Sequence, residues 1–267
     1  MNIKLPKILI IAGSDSSAGA GIQADLKTAS AHKVYASTVI TAITSQNTTG
    51  VQSVFDIPAG VIKSQITSVM SDLGATHVKL GMLSKVESIK AVAGELAKYK
   101  DLKIVADPVM VAKGGHNLLQ DDAIDYLKKA ILNQAFLITP NIPEAEVLSG
   151  FKINNLSDMV DAVDKISSEL NCEYILLKGG HLESDDMHDI LYSRKESKVI
   201  LDLKSKRINT HNTHGTGCSY ASAITSNLSL GHDIIEAIRD AHSYVKNAIE
   251  KAPKHIGKGH GPVYHWL

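Results

Sequence analysis

Seven residues, Asn212-Thr213-His214-Gly215-Thr216-Gly217-Cys218, run directly into Ser219-Tyr220-Ala221-Ser222-Ala223-Ile224. Two glycines stand two apart, and apolar residues then recur at Ala221, Ile224 and Leu228, a helical spacing. This reads as a loop turning sharply into a helix, so that the amides from about Gly215 to Cys218 lack intrahelical partners. Free N–H groups and the helix dipole together make a site for an anion, most simply a phosphate. Cys218, in the first turn, is where a thiol's pKa is expected to fall and its thiolate to be favoured. One short element can thus hold a transferring phosphoryl group and set a base beside it. A glycine-rich turn with a small buried cysteine would use the same letters, so other residues must decide.

Those residues need elements to carry them. Ile8 to Ala12 is a continuous apolar run ending at Gly13, as in a strand buried on both faces, and Ile22 to His32 reads as a helix. Tyr35 to Thr44 is a second strand, Val51 to Asp56 a short edge strand, and Pro58 opens a helix. His77 to Gly81 is a strand, and Ser84 with Glu87 predicts a capping box for the helix that follows. Lys103 to Ala106, Phe136 to Thr139 and Tyr174 to Leu177 are further strands with helical segments between them. From Asp189 to Ile208 the pattern predicts antiparallel hairpins, and Asp233 with Glu236 predicts a second capping box before the last helix. Repeated β–α alternation predicts an α/β domain with a mainly parallel sheet.

In such sheets ligands bind beyond the carboxyl ends of the strands. The residues found there are Gly13-Ser14-Asp15, Gln46, Met82, Asp107, Asn141 with Glu144, and Lys178. Asp107 and Glu144 are hard oxygen ligands suited to Mg²⁺, although Glu144 behind Pro143 also suits a helix N-terminus. Lys178 can meet an ATP phosphate as a point charge. These parts fit phosphoryl transfer, which needs charge neutralisation and alignment more than covalent chemistry. Two other motifs fail. Gly19-Ala20-Gly21-Ile22-Gln23-Ala24 matches G-x-G-x-x-A, but it follows a six-residue loop, and the second strand lacks a terminal acid for a ribose. No G-x-x-x-x-G-K-[ST] is present, so a P-loop is excluded.

Composition narrows the class. In 267 residues Lys+Arg and Asp+Glu balance at 28 each, which predicts neither a nucleic acid nor an anionic membrane as partner. Two cysteines, Cys172 and Cys218, are no disulfide framework, and no apolar run is long enough for a signal peptide or a span. A cytoplasmic protein is expected. The His-rich stretches, His211 with His214 and His255 with His260, lack the paired spacing of a zinc site.

"NTHGTGCSYASAI" resembles the anion-hole signature of the hydroxymethylpyrimidine/phosphomethylpyrimidine kinases, a branch of the ribokinase-like superfamily in which a cysteine replaces the usual aspartate. "AGSDSSAGAGIQADLKT", "TAITSQNTTGV", "KLGML", "DPVMVAKGG", "TPNIPEAEVLSG", "LLKGGH" and "GHGPVYHW" are similar to segments of the same kinases, in the same order. The resemblance covers nearly the whole chain and implies a ribokinase-like three-layer fold over residues 1–267 as a single kinase domain. It makes Cys218 the catalytic base, with Gly215, Thr216 and Gly217 as the anion hole. Gly13, Asp25, Gln46 and Met82 would line the pyrimidine pocket, Gln46 aptly, since an amide both donates and accepts against an aminopyrimidine edge. Lys113 and Lys178 would face the nucleotide phosphates. Asn141-Ile142-Pro143-Glu144 matches the N-x-x-E motif associated with Mg²⁺ and phosphate. Gly114-Gly115-His116 departs from the Ser-Gly-Asp more usual after the lysine. A homodimer is implied.

The expected function is ATP- and Mg²⁺-dependent phosphorylation of 4-amino-5-hydroxymethyl-2-methylpyrimidine and its monophosphate in thiamine biosynthesis. Pyridoxal kinase is the nearest rival, since both substrates offer a hydroxymethyl on a nitrogen heterocycle. A non-catalytic pyrimidine sensor is opposed by the presence of Asp107, Glu144, Lys178 and Cys218. A dinucleotide-dependent dehydrogenase is opposed by the failed motifs.

Overall fold

The computed structural model describes residues 5–110, 119, 121–182 and 186–267. Its strands are β1 (Lys7–Asp15), β2 (Tyr35–Asn47), β3 (Gly50–Asp56), β4 (His77–Leu80), β5 (Lys103–Ala106), β6 (Leu137–Ile138), β7 (Tyr174–Lys178), β8 (Asp186–Ser193) and β9 (Lys198–Lys206). Among the described residues the helices are α1 (Gly21–Ala31), α2 (Ala59–Asp72), α3 (Val86–Leu96), α4 (Asp121–Ala130), α5 (Ile142–Ser149), α6 (Leu156–Glu169), α7 (Thr216–Leu230) and α8 (Ile234–Glu250). The strands form one sheet in the order β3-β2-β1-β4-β5-β6-β7-β8-β9. From β2 to β7 neighbours run parallel, while β3, β8 and β9 pair antiparallel at the two margins.

Period-2 alternation splits the core into two layers. On β1, Leu9 and Ile11 pack with Ile62 and Ile66 of α2, Ile89 and Val92 of α3, and residues of α4, α5 and α6. Ile8, Ile10 and Ala12 face the other way, onto Ile22 and Ala29 of α1. Farther along that second face Val105, Leu137 and Leu176 pack against Ile224 and Leu228 of α7 and Ile238 and Val245 of α8. Each buried Leu, Ile or Val contributes about 1.5–3 kcal/mol, and helices on both faces explain why the central strands read as unbroken apolar runs. This is the three-layer arrangement that the resemblance implies.

Strand order reverses beside β1: the chain passes from β1 to β2 on one side, while β4 lies on the other, in register from Ile8↔His77 to Ile11↔Leu80. A crevice opens at such a switch point, and it collects the chemistry below.

One expected cap does not form. Ser84 sits at φ +65 and gives its hydroxyl to Asp56 Oδ1 at 2.5 Å, so the N-cap of α3 is Lys85, with no side-chain cap bond. A tertiary partner has outbid the local one. Asp233 does cap α8, accepting from the Glu236 amide at 2.8 Å.

Candidate active site

The α7 N-terminus is shaped by its neighbours. Gly215 is the N-cap with φ +80, and a methyl built there would stand 1.8 Å from the Gly19 carbonyl oxygen. Only glycine tolerates both the left-handed backbone and that approach. The Thr216 amide is already taken by the Thr213 carbonyl at 3.3 Å, which narrows the expected anion hole. Gly217 and Cys218 follow in the first turn, where no carbonyl one turn back exists to receive their N–H groups.

Behind this turn lies a charged cluster at the ends of β5, β6 and β7. Lys178 Nζ donates to Asp107 Oδ1 at 2.8 Å, and Thr139 Oγ1 donates to the same oxygen at 2.8 Å. A methyl at Gly217 would stand 3.5 Å from Lys178 Nζ and 3.6 Å from Asp107 Oδ2, so α7 begins against this ion pair. Burial would raise the Asp107 carboxyl, but Lys178 and then Lys79 hold it below the usual range. Glu144 completes a capping box on α5, its Oε2 accepting from the Asn141 amide at 2.9 Å while Asn141 Oδ1 accepts from the Glu144 amide at 2.9 Å. The helix-capping and metal-ligand readings of Glu144 are therefore compatible. Burial, reinforced by Asp107 and opposed by Lys178, pushes its carboxyl up to about 7.

The floor of the crevice holds an ion pair that sequence reasoning missed. Lys79 Nζ on β4 meets Asp25 Oδ2 on α1 at 2.8 Å, both side chains fully buried. Ser222 Oγ of α7 donates to Asp25 Oδ1 at 2.7 Å. Both Asp25 oxygens are thus engaged, one by Lys79 and one by Ser222. A lysine inside the four-residue strand His77-Val78-Lys79-Leu80 was the available signal. Burial alone would lower the Lys79 ammonium, yet Asp25, Cys218 and Asp107 together raise it.

Cys218 reverses another expectation. Its thiol is pushed up, not down, to about 11: burial dominates, Lys79 pulls the other way, and Asp25 and Asp107 add to the rise. The helix end does not overcome that low-dielectric, carboxylate-bearing surround. The second thiol, Cys172, is buried and free.

On the opposite wall Gly13 backs onto Met82, whose sulfur would stand 3.0 Å from a methyl there, and Met82 is held by Thr41 Oγ1 donating to its carbonyl at 2.6 Å. Gln46, half-buried near the end of β2, lies beside His214, which in turn meets Asp15 Oδ2 at 2.8 Å. Asp15 also accepts from the Ser17 and Ala20 amides, each at 2.8 Å, and so organises the loop after β1. That loop, not a dinucleotide, is what Gly19 and Gly21 serve. The structure thus brings Gly13, Gln46, Met82, Asp107, Glu144, Lys178 and Gly215–Cys218 to one end of the sheet. Lys113 lies outside the described residues.

Among the described residues no group of three or more His, Cys, Asp or Glu side chains is arranged to hold a metal alone. Asp107 and Glu144 do fit Mg²⁺, an ion that takes one or two carboxylates and completes its shell with water and phosphate oxygens. Asp107 and Glu144 both face Lys178, and a divalent cation there would favour the ionised form of Glu144, whose carboxyl burial pushes up to about 7.

Comparison with known proteins places the chain in a family. Residues 15–264 match the family model described as phosphomethylpyrimidine kinase. The chain is 39% identical to the hydroxymethylpyrimidine/phosphomethylpyrimidine kinase of Bacillus subtilis, over 97% of this chain and 94% of that one. It is 45% identical to the thiamine biosynthesis bifunctional protein ThiED of Geobacter sulfurreducens, over 97% of this chain, but spans only 52% of that protein's length. The solved ADP complex of Bacillus subtilis pyridoxal kinase superposes with a TM-score of 0.89 at 35% identity, covering 98% of both chains.

Proposed function

The chain belongs to the phosphomethylpyrimidine kinase family, and from that membership and the site's geometry we propose that it transfers the γ-phosphoryl group of ATP to 4-amino-5-hydroxymethyl-2-methylpyrimidine and to its monophosphate, in thiamine biosynthesis. The observation that carries this reading is the start of α7 set against the Lys178–Asp107 pair, at the same sheet end as Gln46 and Met82. In the reaction the substrate oxygen forms a bond to the γ-phosphorus, the bond to the β–γ bridging oxygen breaks, and the proton must leave the substrate. Gly217 and Cys218 amides offer the transferring group fixed donors, and Lys178 offers charge. Cys218 accepts the proton once it has lost its own, a step that Lys79 and Lys178 assist against the burial that pushes the thiol up to about 11. Bound Mg²⁺, held by Asp107 and Glu144, would neutralise phosphate charge. Gln46, Met82 and Gly13 receive the ring, and the resemblance assigns Lys113, outside the described residues, to the nucleotide phosphates.

The whole chain, 1–267, acts as one catalytic domain in this reading, since a single sheet takes strands from Lys7 to Lys206. No helix of the described residues is long and apolar enough to cross a membrane, and both thiols are free, which supports a place in the reducing cytoplasm. A homodimer is favoured by exposed Ile43 and Phe55, paired across the β2–β3 edge, and light scattering on the purified protein tests it. The likeness to a pyridoxal kinase structure gives pyridoxal as the rival substrate. ATP consumption measured with the hydroxymethylpyrimidine, with its monophosphate and with pyridoxal decides: turnover with pyridoxal alone would sink the pyrimidine reading.

A further inference from the structure

Of the segments that resemble the kinases, "GHGPVYHW" alone has no part in the site above. Residues 261–265 run alongside the loop that leads into α7. His214 donates its amide to the Gly261 carbonyl at 3.0 Å and accepts from the Val263 amide at 3.3 Å, a parallel bridge centred on Pro262. Two residues farther on, His265 Nε2 lies 3.0 Å from Ser219 Oγ, within hydrogen-bond distance, and both residues are buried. Gly215–Cys218, the turn read as the phosphoryl site, stands between these two grips.

The segment is itself held from behind. Tyr264 donates its amide to the Ala248 carbonyl of α8 at 2.9 Å, and Tyr244 Oη donates to the His265 carbonyl at 3.1 Å. The Trp266 ring lies 5.6 Å from the Lys27 ammonium, which donates to the Ala18 carbonyl at 2.7 Å. Ala18 precedes Gly19, whose carbonyl is the one Gly215 approaches. The start of α7 is thus tied to α8 and to the loop after β1. Burial, and then Lys27, push the His265 imidazole down to about 4, so near neutral pH it is uncharged. One of its nitrogens then carries a hydrogen and the other accepts.

Helix ends fray, and fixed donors help a reaction only if they are aimed before the charge develops. A serine in a helix can also turn its hydroxyl back onto the carbonyl four residues earlier and bend that turn. For Ser219 that carbonyl belongs to Gly215 and already accepts from the Ser219 amide at 2.9 Å, while the hydroxyl meets His265 instead. We propose that residues 261–265 brace the phosphoryl-holding turn, and that His265 is a positioning residue for phosphoryl transfer, acting through Ser219. This rests on the reading of Gly215–Cys218 as the phosphoryl site. Because such donors act most strongly in the transition state, the brace should show in kcat rather than in KM.

The test compares wild-type enzyme with His265→Leu, with Ser219→Ala (the milder change, which decides if the first fails to fold) and with the double variant. Each single change should lower kcat about tenfold, the factor one ordinary hydrogen bond is worth, while KM for the hydroxymethylpyrimidine holds. The double variant should fall no further than either single. His265→Gln, whose amide end can donate or accept, should recover most of kcat. A wild-type kcat in Ser219→Ala, additive losses, or a loss that His265→Gln does not relieve overturns the proposal. NMR supplies a readout that does not depend on which ring is phosphorylated. In the wild type the Gly217 and Cys218 amide resonances should move when MgADP and aluminium fluoride, a mimic of the phosphoryl group in flight, are added. No movement there refutes the phosphoryl-site reading itself. Movement that persists undiminished in Ser219→Ala refutes the brace alone.

Discussion

Lys79→Met tests whether the sealed pair beneath the crevice is a structural keystone. The substitution keeps an unbranched chain of similar length but removes an ammonium that no solvent reaches. Asp25 is left with Ser222 as its remaining partner, at 2.7 Å. Removing one member of a buried ion pair costs about 3–5 kcal/mol, and the surviving Ser222 bond places the expected loss near the lower end, about 3 kcal/mol. Against a typical total of about 5–15 kcal/mol that is a large fraction. Urea unfolding of the nucleotide-free protein measures it as a lower midpoint at unchanged slope. The decisive comparison is a cycle with Asp25→Asn, whose amide oxygen still accepts from Ser222. In the double variant no uncompensated charge remains, so it should be less destabilised than the sum of the singles by about 2 kcal/mol. Strict additivity, or a loss below about 1 kcal/mol in Lys79→Met, would show that the pair is incidental to stability. Loss of the ammonium should also slow alkylation of Cys218, since Lys79 is what opposes the rise of that thiol.

Three further outcomes are expected. Asp15 has its carboxyl lowered from 3.8 to about 2, so it contributes stability that is complete above pH about 4 and lost as pH falls toward 2. The shift corresponds to about 2 kcal/mol. Asp15→Asn should cost that much at pH 7 and almost nothing at pH 2, and a pH-independent cost refutes the linkage. With its thiol near 11, Cys218 has a thiolate fraction that rises about tenfold per pH unit through neutrality. If it is the base, kcat climbs with pH, and Cys218→Ala flattens that climb and lowers kcat by about 10²–10⁴ while KM for ATP holds. A wild-type rate in Cys218→Ala leaves the work to the backbone amides. Glu144→Gln can keep the accepting oxygen of the capping box, so thermal unfolding should barely move while the Mg²⁺ requirement rises. An unchanged Mg²⁺ titration reduces Glu144 to a helix cap.

Much of this was legible because it is local. The continuous apolar run at Ile8–Ala12 and the β–α alternation predict a parallel sheet, and the carboxyl ends of those strands then predict where Asp107, Gln46 and Lys178 gather. What escaped depends on partners far away in sequence. The Ser84–Glu87 spacing suits a cap, but Asp56 claims the serine. A helix N-terminus predicts an acidic thiol at Cys218, but burial and the carboxylates of Asp25 in α1 and Asp107 just beyond β5 outweigh it. The resemblance gives Asp25 a place at the ring, and no rule of spacing pairs it with Lys79. His214 lacks the paired spacing of a zinc ligand, and only the fold shows it facing Asp15 and Gln46.

Those distant pairings bear on how the chain folds in time. Asp15 and His214 are 199 residues apart, Asp25 and Ser222 are 197 apart, and the Gly259 amide reaches back 211 residues to Thr48 Oγ1. Each closes a loop nearly as long as the protein, and such closures are slow because their entropy must be spent before any contact rewards it. The sheet and most helices rest on nearer neighbours and can form first. The crevice should therefore be the last region to become ordered, and during refolding the helical circular dichroism signal should return well ahead of ATP-binding capacity.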